Sequence, residues 1–298
     1  MIRFENVVKQ YRIAPGPGRK AGVVEALREV SAVVEPGEVV GVVGPNGAGK
    51  TTLFGLVLGF LEATAGVVRI DNAEPRAFVR ANGASYLPER FQLPRDWTIQ
   101  HALRALLKLD GAKQDVVELL QEYDLTSYAN AAAHTLSRGT MQRVGIAQAL
   151  ATPRRLVVLD EPTEGLDPVW RIRFRESVMR LRSPERVVFI ASHDLTEVER
   201  VADRVVIMNQ GRITDSLDLR SQSREPRDYI LTLANEHEAV ASLFNTARVM
   251  GNAVYAVTVE SAGDLSTRIA ALLEAGATLV SVTPGTSLEQ RITQAPSQ

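Results

Sequence analysis

The stretch at residues 44–52 constrains the fold of this chain more than any other, because it matches the pattern G-x-x-x-x-G-K-[ST] followed by a second threonine. An apolar run of strand length, Val39–Val43, precedes it, and residues 53–58 can continue as a helix. A glycine-rich loop between a strand and a helix points successive N–H groups at phosphate oxygens, and the helix N-terminus adds a partial positive charge. The pattern therefore predicts a phosphate-binding loop in an α/β domain.

The residues of this loop have different expected roles. Lys50 is expected to reach the β- and γ-phosphates of a nucleotide, and the Thr51 hydroxyl is expected to bind a Mg²⁺ ion. The other candidates for nucleotide contact are Gly44, Pro45, Asn46, Gly47, Ala48, Gly49 and Thr52. The alternative is a glycine-rich turn that contains Lys-Thr by chance, and the flanking strand and helix argue against it.

Two adjacent acids, Asp160 and Glu161, follow the apolar run at residues 156–159. Ligands of open α/β sheets bind at the carboxyl ends of strands, so both acids are predicted to lie at the phosphate-binding edge. Repulsion between neighbouring carboxylates is costly unless a cation offsets it. We expect Asp160 to hold Mg²⁺ directly or through water, and Glu161 to orient the attacking water or accept its proton. Taken without the upstream loop, the pair could equally be two solvated acids.

The composition argues against several classes of function. The 298 residues carry 34 basic and 35 acidic side chains, and this net charge of −1 gives no electrostatic footprint for nucleic acid. Without cysteine, neither a disulfide framework nor a thiolate metal site can form. The first residues lack the apolar core of a signal peptide, and no run approaches the roughly 18 apolar residues of a membrane span. Any work at a membrane is therefore expected to depend on another chain.

The order of predicted elements divides the chain into two domains. Residues 1–217 are predicted to bind the nucleotide, with a helical subdomain at about 90–137 whose first helix, at 99–109, begins after an N-cap at Thr98. Residues 218–228 are predicted to be a linker. Residues 229–298 show the order β-α-β-β-α-β, with helices at 236–247 and 265–275, which is the split βαβ arrangement.

Two further segments resemble a known family. The run Leu159-Asp160-Glu161-Pro162-Thr163-Glu164-Gly165-Leu166-Asp167 resembles the Walker B motif and D-loop of ATP-binding cassette (ABC) proteins. The run Leu136-Ser137-Arg138-Gly139-Thr140-Met141-Gln142-Arg143 resembles the signature segment that separates this family from other P-loop ATPases. The resemblance covers residues 1 to about 216. It implies the α/β fold of a P-loop NTPase ABC cassette, with a mixed-sheet core and a helical subdomain, here followed by a small α+β ferredoxin-like domain.

The resemblance implies roles for residues outside the phosphate loop. Tyr11 looks like the aromatic residue that stacks on adenine, the alternative being an ordinary strand tyrosine. Ser137 and Gly139 look like signature residues that contact the γ-phosphate of ATP bound to a second subunit. Asp167 looks like the D-loop acid that couples two sites across a dimer. His193 follows a second apolar strand and looks like the switch histidine that touches the γ-phosphate.

Three positions depart from the usual family pattern. Arg138 and Thr140 stand where the signature usually has glycine and glutamine. Because Ser137 and Gly139 are kept, we expect activity, if slower. Glu89 stands where the Q-loop glutamine is usual and is a further candidate for contact with the nucleotide and its Mg²⁺. Glutamate at this position is similar to ABC-2-type bacterial exporters, whose ATPases also carry a small C-terminal domain. Residues 276–282 and 287–289 resemble the closing segment of that subgroup.

The resemblance also implies a function for the whole chain, which is ATP hydrolysis that energises a separate integral membrane permease. ATP and Mg²⁺ are the implied cofactors. The implied partners are the permease and a second ATPase subunit, with a homodimer as the first expectation, at the cytoplasmic face of the cell membrane. The alternative is a soluble ABC ATPase that acts in cluster assembly, repair or translation.

An apolar cluster beside Glu89 is the expected docking place of the permease. Phe91, Leu93, Pro94 and Trp97 put large apolar side chains next to the presumed γ-phosphate sensor, and exposed clusters of this kind often mark partner sites. The alternative is that these side chains pack within the helical subdomain.

Overall fold

The computed structural model describes residues 1–14, 22–111, 114–222, 227–259 and 262–284. These residues fall into two compact units, Met1–Leu217 and Asp218–Gln298, and each unit has an apolar core of its own. Residues 15–21 and the closing segment at 287–289 lie outside the described residues.

The larger unit contains two sheets. Their strands are β1 (Ile2–Ile13), β2 (Gly22–Val34), β3 (Val39–Val43), β4 (Ala65–Ile70), β5 (Ser85–Leu87), β6 (Leu156–Asp160), β7 (Val187–Ser192), β8 (Arg204–Asn209) and β9 (Arg212–Asp218). An antiparallel sheet has the order β2-β1-β4, and a six-stranded sheet has the order β5-β6-β7-β3-β8-β9. Strands β3, β6 and β7 are buried along their whole length and pair in parallel, as their continuous apolar runs predict.

Helices connect the strands of this unit. They are α1 (Lys50–Val57), α2 (Pro75–Asn82), α3 (Ile99–Asp110), α4 (Val116–Glu122), α5 (Arg138–Leu150), α6 (Pro168–Leu181) and α7 (Leu195–Glu199). Thr98 caps α3 by accepting a hydrogen bond from the His101 N–H, so the predicted start of that helix is confirmed. In the described part of the chain, no helix has both the length and the apolarity that a membrane crossing requires.

The apolar core fixes the phosphate loop between β3 and α1. Phe54 of α1 is fully buried, and the centre of its ring lies 5.8 Å from the centre of the Phe189 ring on β7. Full burial of a phenylalanine contributes roughly 1.5–3 kcal/mol to the free energy of unfolding. Because the strand before the loop and the helix after it share this core, the loop between them has little freedom to move.

The smaller unit contains a four-stranded antiparallel sheet in the order β11-β12-β10-β13. Its elements are α8 (Leu219–Gln222), β10 (Arg227–Leu233), α9 (Ala239–Leu243), β11 (Arg248–Gly251), β12 (Val254–Val259), α10 (Ala262–Glu274) and β13 (Leu279–Pro284). From β10 onward the order is β-α-β-β-α-β, the order that the sequence indicates. Its core contains Leu231, Phe244, Tyr255, Val257 and Leu272.

Boundaries in this unit differ from the sequence prediction, and the second helix, predicted at 265–275, is Ala262–Glu274. The helix predicted at 236–247 comprises only Ala239–Leu243, because the chain leaves helical geometry at Phe244, whose side chain is fully buried in the core. The linker predicted at 218–228 has regular structure at both ends, since Leu219–Gln222 is helical and β10 begins at Arg227. Tertiary packing overrides local preference at helix ends of this kind.

Candidate functional site

A cavity of about 590 Å³ borders the phosphate loop. Its wall comes from β1, β2, the loop, the segment after β5 and the end of β6. The lining residues are Tyr11, Val24, Glu25, Ala26, Pro45, Asn46, Gly47, Ala48, Gly49, Lys50, Thr51, Thr52, Glu89, Asp160 and Glu161. The carboxyl ends of β3 and β6 therefore bring the phosphate loop and the two acids to one place, as parallel strands of one sheet do.

The loop approaches the β2 backbone closely at Gly49. Gly49 has a φ of +106°, and a Cβ at this position would lie 2.7 Å from the Ala26 carbonyl oxygen, so only glycine fits. Helix α1 begins at Lys50, and no side chain caps its start. The first N–H groups of the helix thus lack a side-chain acceptor, which is the arrangement that binds anions.

Lys50 puts a buried positive charge at the base of the cavity. Its Nζ donates a hydrogen bond to the Gly44 carbonyl oxygen at 2.7 Å and lies 3.7 Å from Glu161 Oε1. The side chain is only 7% exposed. Gly44 does not line the cavity, and its contribution is this carbonyl group. An ammonium group held between the loop and a carboxylate is well placed to meet phosphate charge.

Asp160 and Thr51 place two oxygen atoms that could bind a metal ion side by side. The Thr51 hydroxyl donates to Asp160 Oδ2 at 2.8 Å, and the Asp160 side chain is buried. Burial raises the pKa of Asp160 to about 6; the Thr51 hydrogen bond opposes this rise, and the carboxylates of Glu161 and Glu89 add to it. Oxygen donors of this kind suit Mg²⁺, and a cation would offset the cost of the buried charge, so the residues present fit a Mg²⁺ ion.

Glu161 is hydrogen-bonded to β7 through its backbone and to His193, which follows β7, through its side chain. Its backbone adopts a left-handed conformation with a φ of +48°, and its N–H donates to the Ala191 carbonyl oxygen at 3.0 Å. Oε2 lies 2.9 Å from His193 Nδ1. The side chain of His193 is 62% exposed and does not line the cavity. The glutamate therefore faces Lys50 on its inner side and His193 on its outer side.

Ser137 and Gly139 stand at the start of α5, apart from the cavity lining. The Ser137 hydroxyl caps the helix by accepting a hydrogen bond from the Thr140 N–H at 3.1 Å. A Cβ on Gly139 would lie 2.5 Å from the Gly165 carbonyl oxygen, so the signature segment and the D-loop touch through their backbones. The exposed Arg138 side chain pairs with Glu164 of the D-loop.

Asp167 likewise lies outside the cavity lining. Its Oδ1 accepts a hydrogen bond from the Trp170 N–H at 2.9 Å, which caps α6. Ser137, Gly139 and Asp167 are therefore not brought together with Lys50 within one chain, whereas Tyr11, Glu89, Asp160 and Glu161 are.

Sequence reasoning missed some residues at this site. Val24, Glu25 and Ala26 line the cavity because β2 pairs with β1 so that Val24 lies opposite Tyr11. Irregular pairing along β1 shifts this register, so the sequence carried no signal for these residues. Gln142 of α5 donates from Nε2 to the carbonyl oxygens of Glu161 and Pro162, and nothing in its sequence surroundings predicts that contact.

Comparison with known sequences gives consistent matches. A family model described as ABC transporter matches residues 27–164. The uncharacterized ABC transporter ATP-binding protein YdbJ of Bacillus subtilis (strain 168) is 32% identical over 232 residues, which are 76% of this chain and 75% of YdbJ. The lipopolysaccharide export system ATP-binding protein LptB of Escherichia coli (strain K12) is 33% identical over 222 residues, which are 71% of this chain and 88% of LptB.

Solved structures show the same fold. The dimeric structure of MJ0796, a bacterial ABC transporter cassette, superposes with a TM-score of 0.64 at 26% identity and covers 74% of this chain and 99% of its own. A nucleotide-free ATP-binding cassette from an ABC transporter superposes with a TM-score of 0.55 at 28% identity. The match covers 73% of this chain and 90% of that cassette.

Proposed function

The chain belongs to the family of ABC transporter ATP-binding proteins, and on that premise we propose that it hydrolyses ATP to energise a separate membrane permease of the ABC-2 exporter type. The fold is that of a P-loop ABC ATPase cassette. The assignment to exporters is supported by Glu89 at the Q-loop position and by the small C-terminal unit. A peripheral place on the cytoplasmic face of the cell membrane follows from this proposal.

One observation supports the proposal of a paired ATPase, which is that some of the residues expected to contact ATP do not line the cavity that the others line. Lys50, Thr51, Asp160 and Glu161 converge on the cavity, whereas Ser137 and Asp167 do not line it. Residues outside their own chain's cavity lining remain available to a nucleotide that another copy binds. We therefore propose that two chains bind two ATP molecules between them, each held by one phosphate loop and the facing signature segment.

The chemistry proposed for this site is positioning and electrostatics. Lys50 and the N–H groups at the start of α1 meet the phosphate charge, and Tyr11 offers its exposed ring to the adenine. Glu161 orients the attacking water or accepts its proton, and His193, whose Nδ1 is 2.9 Å from Glu161 Oε2, fixes that carboxylate from outside the cavity lining. Thr51 and Asp160, with Glu89 on the cavity wall, would hold a Mg²⁺ ion, which supplies neutralisation of phosphate charge.

ATP-dependent dimerisation tests the composite site. The Glu161→Gln variant with MgATP should elute as a dimer, with its mass measured by light scattering, because slow hydrolysis keeps ATP in place. Adding Ser137→Arg should abolish the dimer and leave nucleotide binding to the monomer unchanged, since Ser137 lies outside the cavity lining. Adding Lys50→Ala instead should abolish both. A Glu161→Gln protein that stays monomeric while saturated with MgATP would contradict the proposal.

Aromatic side chains beside β5 support the proposed docking of a permease. The cluster predicted at 89–97 is divided, because Phe91 is half-buried beside Gly145 of α5, whereas Trp97 is 38% exposed and packs edge-on against His101. Phe60 is 65% exposed, and its ring centre lies 5.7 Å from that of Tyr86 in β5, three residues before Glu89. We propose that the permease contacts Phe60 and Trp97, so that it binds close to the cavity wall.

A further inference from the structure

Gln142 joins the signature helix to the residue proposed to activate water. Its Nε2 lies 3.1 Å from the Glu161 carbonyl oxygen and 3.0 Å from the Pro162 carbonyl oxygen, and the side chain is buried. Both neighbours are acceptors, so the two N–H bonds of the amide must face them. Among neutral side chains of this length, only glutamine offers two N–H donors.

The carbonyl groups that Gln142 holds belong to a strained turn. Glu161 is buried and has a φ of +48°, a conformation that residues other than glycine rarely adopt. Such a conformation persists only where its surroundings fix it. The Glu161 N–H is fixed by Ala191, and its carbonyl oxygen accepts from the Glu164 N–H at 3.2 Å as well as from Gln142. Gln142 is therefore the side chain that holds this peptide from the direction of α5.

The same helix carries the signature serine. Ser137 caps α5, and Gln142 lies five residues further along, within about one and a half helical turns. A helix segment of this length moves as a rigid body. A shift of Ser137 on contact with a nucleotide would therefore be transmitted to the peptide of Glu161 in the same chain.

We propose that Gln142 is a positioning residue that sets the Glu161 carboxylate for hydrolysis and links it to the signature segment. This inference rests on the proposed function. A merely structural role for Gln142 predicts something different, namely a loss of stability and of nucleotide-dependent dimerisation with no selective effect on turnover.

Steady-state kinetics of Gln142→Met tests the proposal, since methionine keeps the length and removes both donors. We expect kcat for ATP to fall about tenfold to a hundredfold, the scale of a small misplacement of a reacting group, with KM within twofold of the wild type. Gln148→Met, six residues further along the same helix, is the matched control and should leave kcat unchanged. Gln142→Lys, which can donate to both carbonyl groups, should retain more activity than Gln142→Met.

A double variant separates positioning from folding. In the Glu161→Gln background the proposed target of Gln142 is already lost, so adding Gln142→Met should lower the residual rate by less than twofold and leave MgATP-dependent dimerisation intact. Wild-type kcat in Gln142→Met, equal losses in the Met and Lys variants, or loss of dimerisation in the double variant would each overturn the inference. If the wild type hydrolyses no ATP, the proposed function itself fails, and the two failures are thereby distinguished.

Discussion

Asp160 and Glu161 are adjacent carboxylates with different electrostatic surroundings, and this difference supports different roles. Burial raises the pKa of Asp160 to about 6, and its partner is the Thr51 hydroxyl. Glu161 instead faces the Lys50 ammonium at 3.7 Å and the His193 ring at 2.9 Å. A carboxylate that burial makes costly suits a bound cation, and a carboxylate between an ammonium and an imidazole suits the handling of water.

Replacing Glu161 by glutamine should separate binding from turnover. Gln keeps the size of the side chain and removes the ability to accept a proton, so kcat should fall on the order of a hundredfold or more while ATP binding stays intact. Nucleotide affinity by calorimetry and phosphate release by a coupled assay measure the two quantities. Hydrolysis at the wild-type rate would exclude Glu161 from the proposed role.

The raised pKa of Asp160 predicts how stability depends on pH when Mg²⁺ and nucleotide are withheld. Because the folded state binds this proton more tightly than the unfolded state, its stabilising effect is complete below about pH 4 and is lost as pH rises through about 6. Asp160→Asn removes the buried charge and should raise the free energy of unfolding at pH 8 by about 1–3 kcal/mol.

Urea denaturation in EDTA at pH 4 and pH 8 measures this difference. Asp167→Asn is the matched carboxylate-to-amide control, because Asp167 is an exposed helix cap and asparagine caps equally well. Equal stability of Asp160→Asn and the wild type at pH 8 would show that burial does not penalise this charge.

At the scale of elements, α5 and the D-loop are joined by a close backbone approach and an ion pair. Gly139 meets the Gly165 backbone, and Arg138, which replaces the usual glycine, pairs with Glu164. The Arg138 side chain is 67% exposed, so the pair is worth at most about 1 kcal/mol. Its effect is therefore expected on the placement of the signature segment rather than on global stability.

Charge reversal tests the Arg138–Glu164 pair. Arg138→Glu and Glu164→Arg should each lower ATP turnover up to about fivefold, and the double reversal should restore most of the loss, because the attraction is re-formed with opposite polarity. The losses should shrink in high salt. If the double variant is as slow as the slower single variant, the pair does not couple the two segments.

The proposed docking of a permease makes a prediction about the segment that follows α1. Phe60→Ser removes an aromatic side chain that is 65% exposed, so it should leave the ATPase rate of the isolated chain unchanged within twofold and weaken co-purification with a polytopic membrane protein. Leu109→Ser, at a residue that is 85% exposed at the end of α3, is the matched control. Equal recovery of the membrane protein with both variants would place docking elsewhere.

At the scale of the whole molecule, two separate apolar cores predict two unfolding events. The core of the larger unit and the core of the smaller unit share no residue. A domain of about 70 residues buries a modest apolar area and is marginally stable alone. Calorimetry of the full chain should therefore resolve two transitions, and MgATP with the Glu161→Gln variant should raise the Tm of only the larger one, by mass action.

Truncation after Ser221 assigns these transitions. The shortened chain should lose the transition that MgATP does not shift and keep the one that it does. Its ATP-dependent dimerisation in the Glu161→Gln background then reports whether the small domain adds contact area between subunits. A single cooperative transition in the full chain that disappears on truncation would contradict independent cores.

The sequence by itself determined the parts of the fold and site that depend on short segments. The phosphate loop could be located because glycine spacing, the preceding strand and the following helix are local properties. The apolar runs of β6 and β7 predicted buried parallel strands, and their ends predicted where Asp160 and His193 would lie. These inferences need only backbone preferences and the periodicity of apolar residues.

Only the tertiary structure decided contacts between distant segments. The hydrogen bond from Thr51 to Asp160 joins residues 109 positions apart, and the Gln142 amide meets the peptide of Glu161 across two elements. Their geometry depends on how side chains of several helices and strands fill one core, and no local pattern encodes that packing. The early end of α9 has the same cause, because burial of Phe244 outweighs the weak helical preference of the residues around it.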